Sequence, residues 1–92
     1  MSEDHLEVLL ANLKTDLGIS TDAYNLRLKQ YLLFADAFVT EQGAVLDYGS
    51  VQDRMLVVQY AAWMWRKRDT GQGMPRMLRY ALNNRIFSKK MK

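Results

Sequence analysis

The chain has 92 residues, no cysteine and one histidine, His5, which excludes disulfides, most structural zinc sites and Cys–His or multi-histidine chemistry. A domain this small buries only about 60–65% of its unfolded surface, so oligomerisation is the natural supplement to its core. The net charge of +3 conceals a polarity, since residues 1–64 carry a net −5 and residues 65–92 a net +8. We therefore expect the two ends to face different partners.

The most apolar run, residues 55–65, is too short to cross a membrane, which takes about 20 residues. The first residues are acidic and no apolar segment follows them, so no signal peptide is expected. These features indicate a protein that is made and folded in the cytoplasm.

The pattern predicts one all-α domain over residues 1–92, a small bundle with helices at about 4–17, 22–42, 51–68 and 75–84 and a basic tail, 85–92. Leucines at helical spacing define the first helix, and Gly18 can end it in the left-handed conformation. The second helix follows the N-cap residues 20–22 and has more apolar surface than one helix pair needs. That surplus indicates either a helix inside the fold or a contact with another subunit.

Ser50, with an acidic residue three positions later, is typical of a helix start. The helix that follows is apolar nearly all round, so it is expected to be the central buried element. Trp63 and Trp65 point to different sides, and core packing is favoured over an interface role. Pro75 suits the first position of the fourth helix.

Catalytic chemistry finds little support in the sequence. Asp16, Asp22, Asp47 and Asp53 all lie near helix ends, where capping or solvation explains them. The Gly71-Gln72-Gly73 segment lacks the strand and the Gly-Lys-Ser/Thr of a phosphate loop, so a turn or hinge is expected. We expect no enzymatic activity, no metal and no cofactor.

The basic residues after position 65 can neutralise phosphates, and Tyr80 or Phe87 can stack on bases. Against specific DNA recognition, the third and fourth helices are joined by about six residues, more than the usual helix-turn-helix connection. The acidic first 64 residues would also repel DNA. An acidic protein partner is served equally well by these arginines.

The segment from Tyr60 to Phe87, with its pattern YAAW…RKRDTG…MP…LRYALNNR…F, resembles the small head-tail connector (adaptor or head-completion) proteins of long-tailed bacteriophages. The resemblance covers roughly Asp53 to Met91. It implies a structural virion protein that forms a dodecameric ring connecting the portal to the tail or neck after DNA packaging. The implied partners are the portal and a neck or tail-completion protein, while DNA only passes through the channel. The implied location is the head-tail junction of the virion, and the host cytoplasm before assembly.

In that family the C-terminal helix and tail generally dock onto the portal. Carried onto this chain, portal binding is implied for Arg79, Asn83, Asn84, Arg85, Ile86, Phe87, Lys89 and Lys90. Residues 85–92 lie beyond what the core requires, so we expect their deletion to leave helicity nearly unchanged. Subunit contacts are expected at four apolar residues that lie outside the main apolar faces of the predicted helices, namely Leu26, Leu33, Phe34 and Tyr48. Two alternatives stay open: a small helical DNA-binding protein using its basic C-terminal region, and a helical interaction module without a phage role.

Overall fold

The computed structural model describes residues 2–71 and 73–90, except for the side chains of residues 69, 70 and 88–90. Within these ranges it has no strand and four helices, namely α1 (Glu3–Leu17), α2 (Asn25–Glu41), α3 (Val51–Thr70) and α4 (Arg76–Lys90). The all-α prediction is confirmed.

Local capping signals set several of the helix ends. The Ser2 side chain accepts a hydrogen bond from the His5 amide at the start of α1. Gly18, at φ 70°, ends that helix, and its amide donates to the carbonyls of the last turn, a conformation that favours glycine. Ser50 caps α3 through the amide of Asp53, as the sequence predicts.

The start of α2 differs from the expectation, because the helix begins at Asn25 rather than near residue 22. The Asp22 carboxylate does not cap α2. It accepts hydrogen bonds from Lys14 Nζ at 2.9 Å and from Asn25 Nδ2 at 3.3 Å. Asp22 thus links the turn to the last part of α1.

Helix α3 packs against each of the other three helices, and α1 and α2 also pack against each other. The fully buried side chains at the centre come from α1, α2 and α3: Leu9, Leu13, Leu28, Leu32, Val39 and Val57. Burying each leucine or valine contributes about 1.5–3 kcal/mol. Helix α4 joins this core through Leu78 and Leu82, whereas Ala81 between them is exposed.

The fourth helix continues to Lys90 instead of ending near Asn83 and Asn84. Residues 85–90, expected as a tail, are therefore helical, and Met91 and Lys92 lie outside the described residues. Asparagine is a weak helix former, but Ile86 packs on the core and stabilises the helix beyond the asparagine pair. Tertiary contacts thus override the local stop signal.

Candidate functional site

The outer face of α4 exposes both apolar and basic side chains. Met77, Tyr80 and Phe87 are exposed, Phe87 by 65%. Arg79, Asn83 and Asn84 are exposed on the same helix, while Ile86 is half-buried. The side chains of Lys89 and Lys90 lie outside the described part of the structure. This face can present an aromatic anchor beside arginines, a combination common at protein interfaces.

Arg85 does not belong to that face. Its Nε and Nη2 lie 2.8 and 3.0 Å from the two carboxylate oxygens of Asp53, and Nη2 also donates to the Val45 carbonyl. The guanidinium therefore ties α4 to the start of α3 and to the loop before it. Arg85 thus has a structural role, and its implied portal binding stays a prediction.

The sequence predicts capping or solvation for Asp53, whereas the structure buries its carboxylate in contact with Arg85. Asp53 is only 4% exposed, and its Oδ2 accepts the Asp47 amide at 2.8 Å in addition to Arg85. Burial alone would raise the pKa of Asp53, but the hydrogen bonds from Arg85 and Asp47 outweigh it and hold the pKa below 3.8. The hydrogen bond with Asp53 raises the pKa of Arg85 above its ordinary value. The pair is charged at neutral pH.

Helix α2 carries a second exposed apolar face. Leu26 is 73% exposed, Phe34 56% and Leu33 45%. These three residues are where the sequence places a subunit contact, and their exposure leaves them available for one. That contact stays a prediction.

Tyr48, the fourth residue expected at a subunit contact, is buried. Its hydroxyl donates a hydrogen bond to the Asp36 carboxylate on α2. Burial, and then that hydrogen bond, raise the pKa of the Tyr48 phenol well above its ordinary value of 10. Tyr48 is therefore not a surface residue without intramolecular contacts, because its side chain holds the connection between α2 and α3 against the core.

Two aromatic clusters lie along α3. Trp65 meets Tyr24 and Tyr31 edge-on, with ring centroids 5.3 and 6.0 Å away. Trp63 packs on Tyr60 at 5.5 Å. Both indoles are half-buried against the core, in line with a packing role.

Cations that follow the tryptophans in sequence cover their rings. Lys67 Nζ lies 4.6 Å from the Trp63 ring centre, and the Arg68 guanidinium lies 3.8 Å from that of Trp65. Arg66 donates to the Asp16 carbonyl at 3.4 Å. The three basic residues at the end of α3 thus have partners within the chain, which lessens their availability to phosphates.

Within residues 2–71 and 73–90, no three His, Cys, Asp or Glu side chains are grouped so that they could hold a metal ion. None of the helices in the described ranges has the length and apolar character needed to cross a bilayer.

No protein-family model matches this chain, and the curated proteins and solved structures with which it was compared give no match either.

Proposed function

We propose that this chain is a structural subunit of a bacteriophage head-tail connector, which forms a ring between the portal and the neck or tail. The observation that carries the proposal is the exposure of large apolar side chains on two separate helices of a 92-residue chain. Leu26 and Phe34 are exposed on α2, and Met77 and Phe87 on α4. Large exposed apolar surfaces mark interaction sites, and a ring subunit that also docks on a portal needs more than one.

The chemistry of the two faces supports different partners for them. The α2 face consists mainly of apolar and uncharged side chains, which suits a contact between copies that is kept dry. The α4 face combines Phe87 and Tyr80 with Arg76 and Arg79. Arginine gives directional, charge-assisted hydrogen bonds to carboxylates, so an acidic protein surface is the matching partner. In this proposal that surface belongs to the portal.

The exposure of Arg76, Arg79 and Tyr80 on one helix also favours the alternative, a small DNA-binding protein. The two functions differ in the partner that α4 contacts. Portal docking depends on a protein surface with a pocket for Phe87, whereas duplex DNA needs only phosphates for the arginines.

The test compares the binding of this chain to a purified bacteriophage portal protein with its binding to a short DNA duplex. We expect co-sedimentation with the portal and ring-shaped particles in negative-stain electron micrographs. Phe87→Ala should weaken portal binding by about 2 kcal/mol if the phenyl group enters a pocket, with Val51→Ala, an exposed apolar residue on α3, as the control. Binding to duplex DNA with a steep salt dependence, together with no binding to the portal, would establish the alternative instead.

A further inference from the structure

Three concavities join into one groove along the outward side of α3. Their volumes are about 600, 300 and 290 Å³. Gln59 lines all three, Met55 lines the first and third, and Asp16 lines the second and third. Helix α1 forms one wall of the groove and α4 forms the opposite wall. Asn84 lies at one end of the groove, and Arg66 lies near its opposite end. We refer to this continuous depression as the α3 groove.

The floor of the α3 groove is an exposed stripe of α3, formed by Gln52, Met55, Gln59 and Arg66. Its charged lining is balanced, because Asp16 and Asp53 offset Arg66 and Arg85. Methionine adapts its shape to different partners, and Met55 and Met77 both line the groove. A surface of this shape can accept an amphipathic helix.

The exposed side of α2 has the complementary form. Leu26, Gln30, Leu33 and Ala37 follow one another at spacings of four, three and four residues, so they lie in a straight row on the helix. All four are exposed and uncharged. We refer to this row as the α2 stripe, and α2 as a whole is about 25 Å long.

We propose that the α2 stripe of one subunit lies in the α3 groove of the next subunit. This inference rests on the proposed ring, because it names the contact between its subunits. Helix α2 packs against both α1 and α3, and the groove opens between α1 and α3 on the side away from α2. The stripe and the groove therefore lie on different sides of the molecule, and Leu26 and Gln30 of the stripe line a separate concavity with Trp65 and Arg68. Such a head-to-tail contact uses two different faces and can close into a ring.

Charges beside the stripe select one orientation. Arg27 and Glu41 lie near its two ends, 14 residues and about 21 Å apart. Gln52 and Arg66 on the groove floor have the same separation, with Arg85 near the first and Asp16 near the second. When α2 runs antiparallel to α3, Arg27 approaches Asp16 and Glu41 approaches Arg85, whereas the parallel orientation would bring Arg27 to Arg85 and Glu41 to Asp16. Arg66 beside Asp16 and Asp53 beside Arg85 offset part of this difference, so the antiparallel orientation is favoured by a small margin.

Cysteine crosslinking tests the contact directly, since the natural chain has no cysteine. In the antiparallel arrangement Leu33 lies over Gln59 of the neighbour. The double variant Leu33→Cys/Gln59→Cys, treated with a short bismaleimide, should give a ladder of multimers ending in a closed ring. Leu33→Cys or Gln59→Cys alone should give monomers, and a mixture of the two single variants should give only heterodimers. Asp4→Cys/Leu33→Cys, with the second cysteine on an exposed position of α1 far from the groove, is the matched control.

Self-crosslinking of Leu33→Cys alone would overturn the inference, because it indicates a symmetric contact between two α2 helices. A double variant that gives no more multimer than the control would also overturn it. The same holds for Gln59 variants that lose portal binding but still assemble. Portal binding is measured on the same samples. A full ladder without portal binding would contradict the proposed function but support the subunit contact. Portal binding without a ladder would support the proposed function but contradict the subunit contact.

A charge exchange tests the orientation. Asp16→Arg and Arg27→Asp should each weaken multimer formation about threefold per contact, as expected for an exposed pair turned repulsive. Both changes suit the helix dipoles, because they put a cation in the last turn of α1 and an anion in the first turn of α2. Folding should be retained. Asp16→Arg/Arg27→Asp together should restore assembly, and a double variant weaker than either single one would contradict the antiparallel arrangement.

Discussion

At the residue scale, the structure depends on one buried carboxylate. Asp53 accepts hydrogen bonds from the guanidinium of Arg85 and from the amide of Asp47. A single side chain thus joins α3, α4 and the loop between α2 and α3. Removing one member of such a set leaves the other groups desolvated without their partners, which costs more than the intact pair contributes.

We expect Asp53→Ala and Arg85→Met each to lower the free energy of unfolding by about 2–4 kcal/mol. Urea unfolding followed by circular dichroism measures this change. Arg79→Met, an exposed arginine on the same helix, is the control and should stay within about 0.5 kcal/mol of the natural chain. Equal losses for Arg79→Met and Arg85→Met would show that the ion pair has no special role.

The lowered pKa of Asp53 makes a defined part of the stability depend on pH. The unfolded chain binds this proton near pH 3.8, and the folded chain only at lower pH, so the contribution is complete above about pH 5 and is lost as the pH falls through the folded pKa. We expect the free energy of unfolding to be flat from about pH 7 to 5 and to drop below about pH 4. In Asp53→Asn, which cannot titrate, the drop should be smaller. Asp22→Asn, which alters the exposed pair with Lys14, should have the lesser effect on this drop.

Local signals in the sequence predict the four helices and several of their ends, but not the long-range partners of Asp53 and Tyr48. Gly18 and Ser50 end and begin helices because the required contacts lie within a few residues. Asp53 and Arg85 are 32 residues apart, and Tyr48 and Asp36 are 12 apart. No periodicity or capping rule relates such positions, so the sequence predicts only capping or solvation for Asp53 and a subunit contact for Tyr48. The exposure of Leu26, Leu33 and Phe34 could be anticipated, because it follows from the helical period alone.

At the element scale, α4 serves both the fold and the proposed docking. Leu78, Leu82 and Ile86 pack inward, whereas Met77, Tyr80 and Phe87 remain exposed. The sequence predicted a shorter helix because it cannot show that Arg85 and Ile86 are held by the body of the protein. Arg85 and Ile86 therefore belong to the folded body of the protein rather than to a dispensable tail.

A pair of truncations separates the two roles of α4. Deleting residues 85–92 removes Arg85 and Ile86, so we expect reduced helicity and a loss of stability of about 3 kcal/mol or more. Deleting residues 88–92 retains both side chains and should leave the urea midpoint nearly unchanged. Circular dichroism and urea unfolding measure these effects. If the longer deletion were as stable as the natural chain, Arg85 would not be structural.

The two kinds of residue expected at subunit contacts should now behave differently. Phe34→Asp places a charge on an exposed surface, so we expect a folded monomer that fails to assemble. Tyr48→Ala leaves a cavity and an unpaired Asp36, so we expect a loss of about 3 kcal/mol in the monomer. Thermal unfolding and light scattering of the same samples distinguish the two. A Phe34→Asp chain that unfolds would place Phe34 in the core instead.

At the scale of the whole molecule, the negative and positive portions of the sequence correspond to different helices. The net −5 portion includes α1, α2 and most of α3, and the net +8 portion covers the end of α3 and α4. Some of these charges are paired within the chain, notably Arg85 with Asp53 and Lys29 with Glu7, each at 2.8 Å. Arg76 and Arg79 remain exposed on α4, on a different surface from the uncharged α2 stripe.

This separation predicts that salt acts differently on the two associations. Portal docking through arginines relies on attraction between exposed charges, so raising sodium chloride from about 50 to 500 mM should weaken it roughly tenfold or more. Assembly through the α2 stripe and the α3 groove buries mainly uncharged side chains, and its exposed end pairs contribute little, so its midpoint concentration should change less than about threefold. Sedimentation of the chain alone measures assembly at each salt concentration, and binding to surface-immobilised portal measures docking. Arg79→Gln should reduce the salt dependence of docking without changing that of assembly. If both associations weakened in parallel with salt, the subunit contact would be electrostatic and the α3 groove would not hold the α2 stripe.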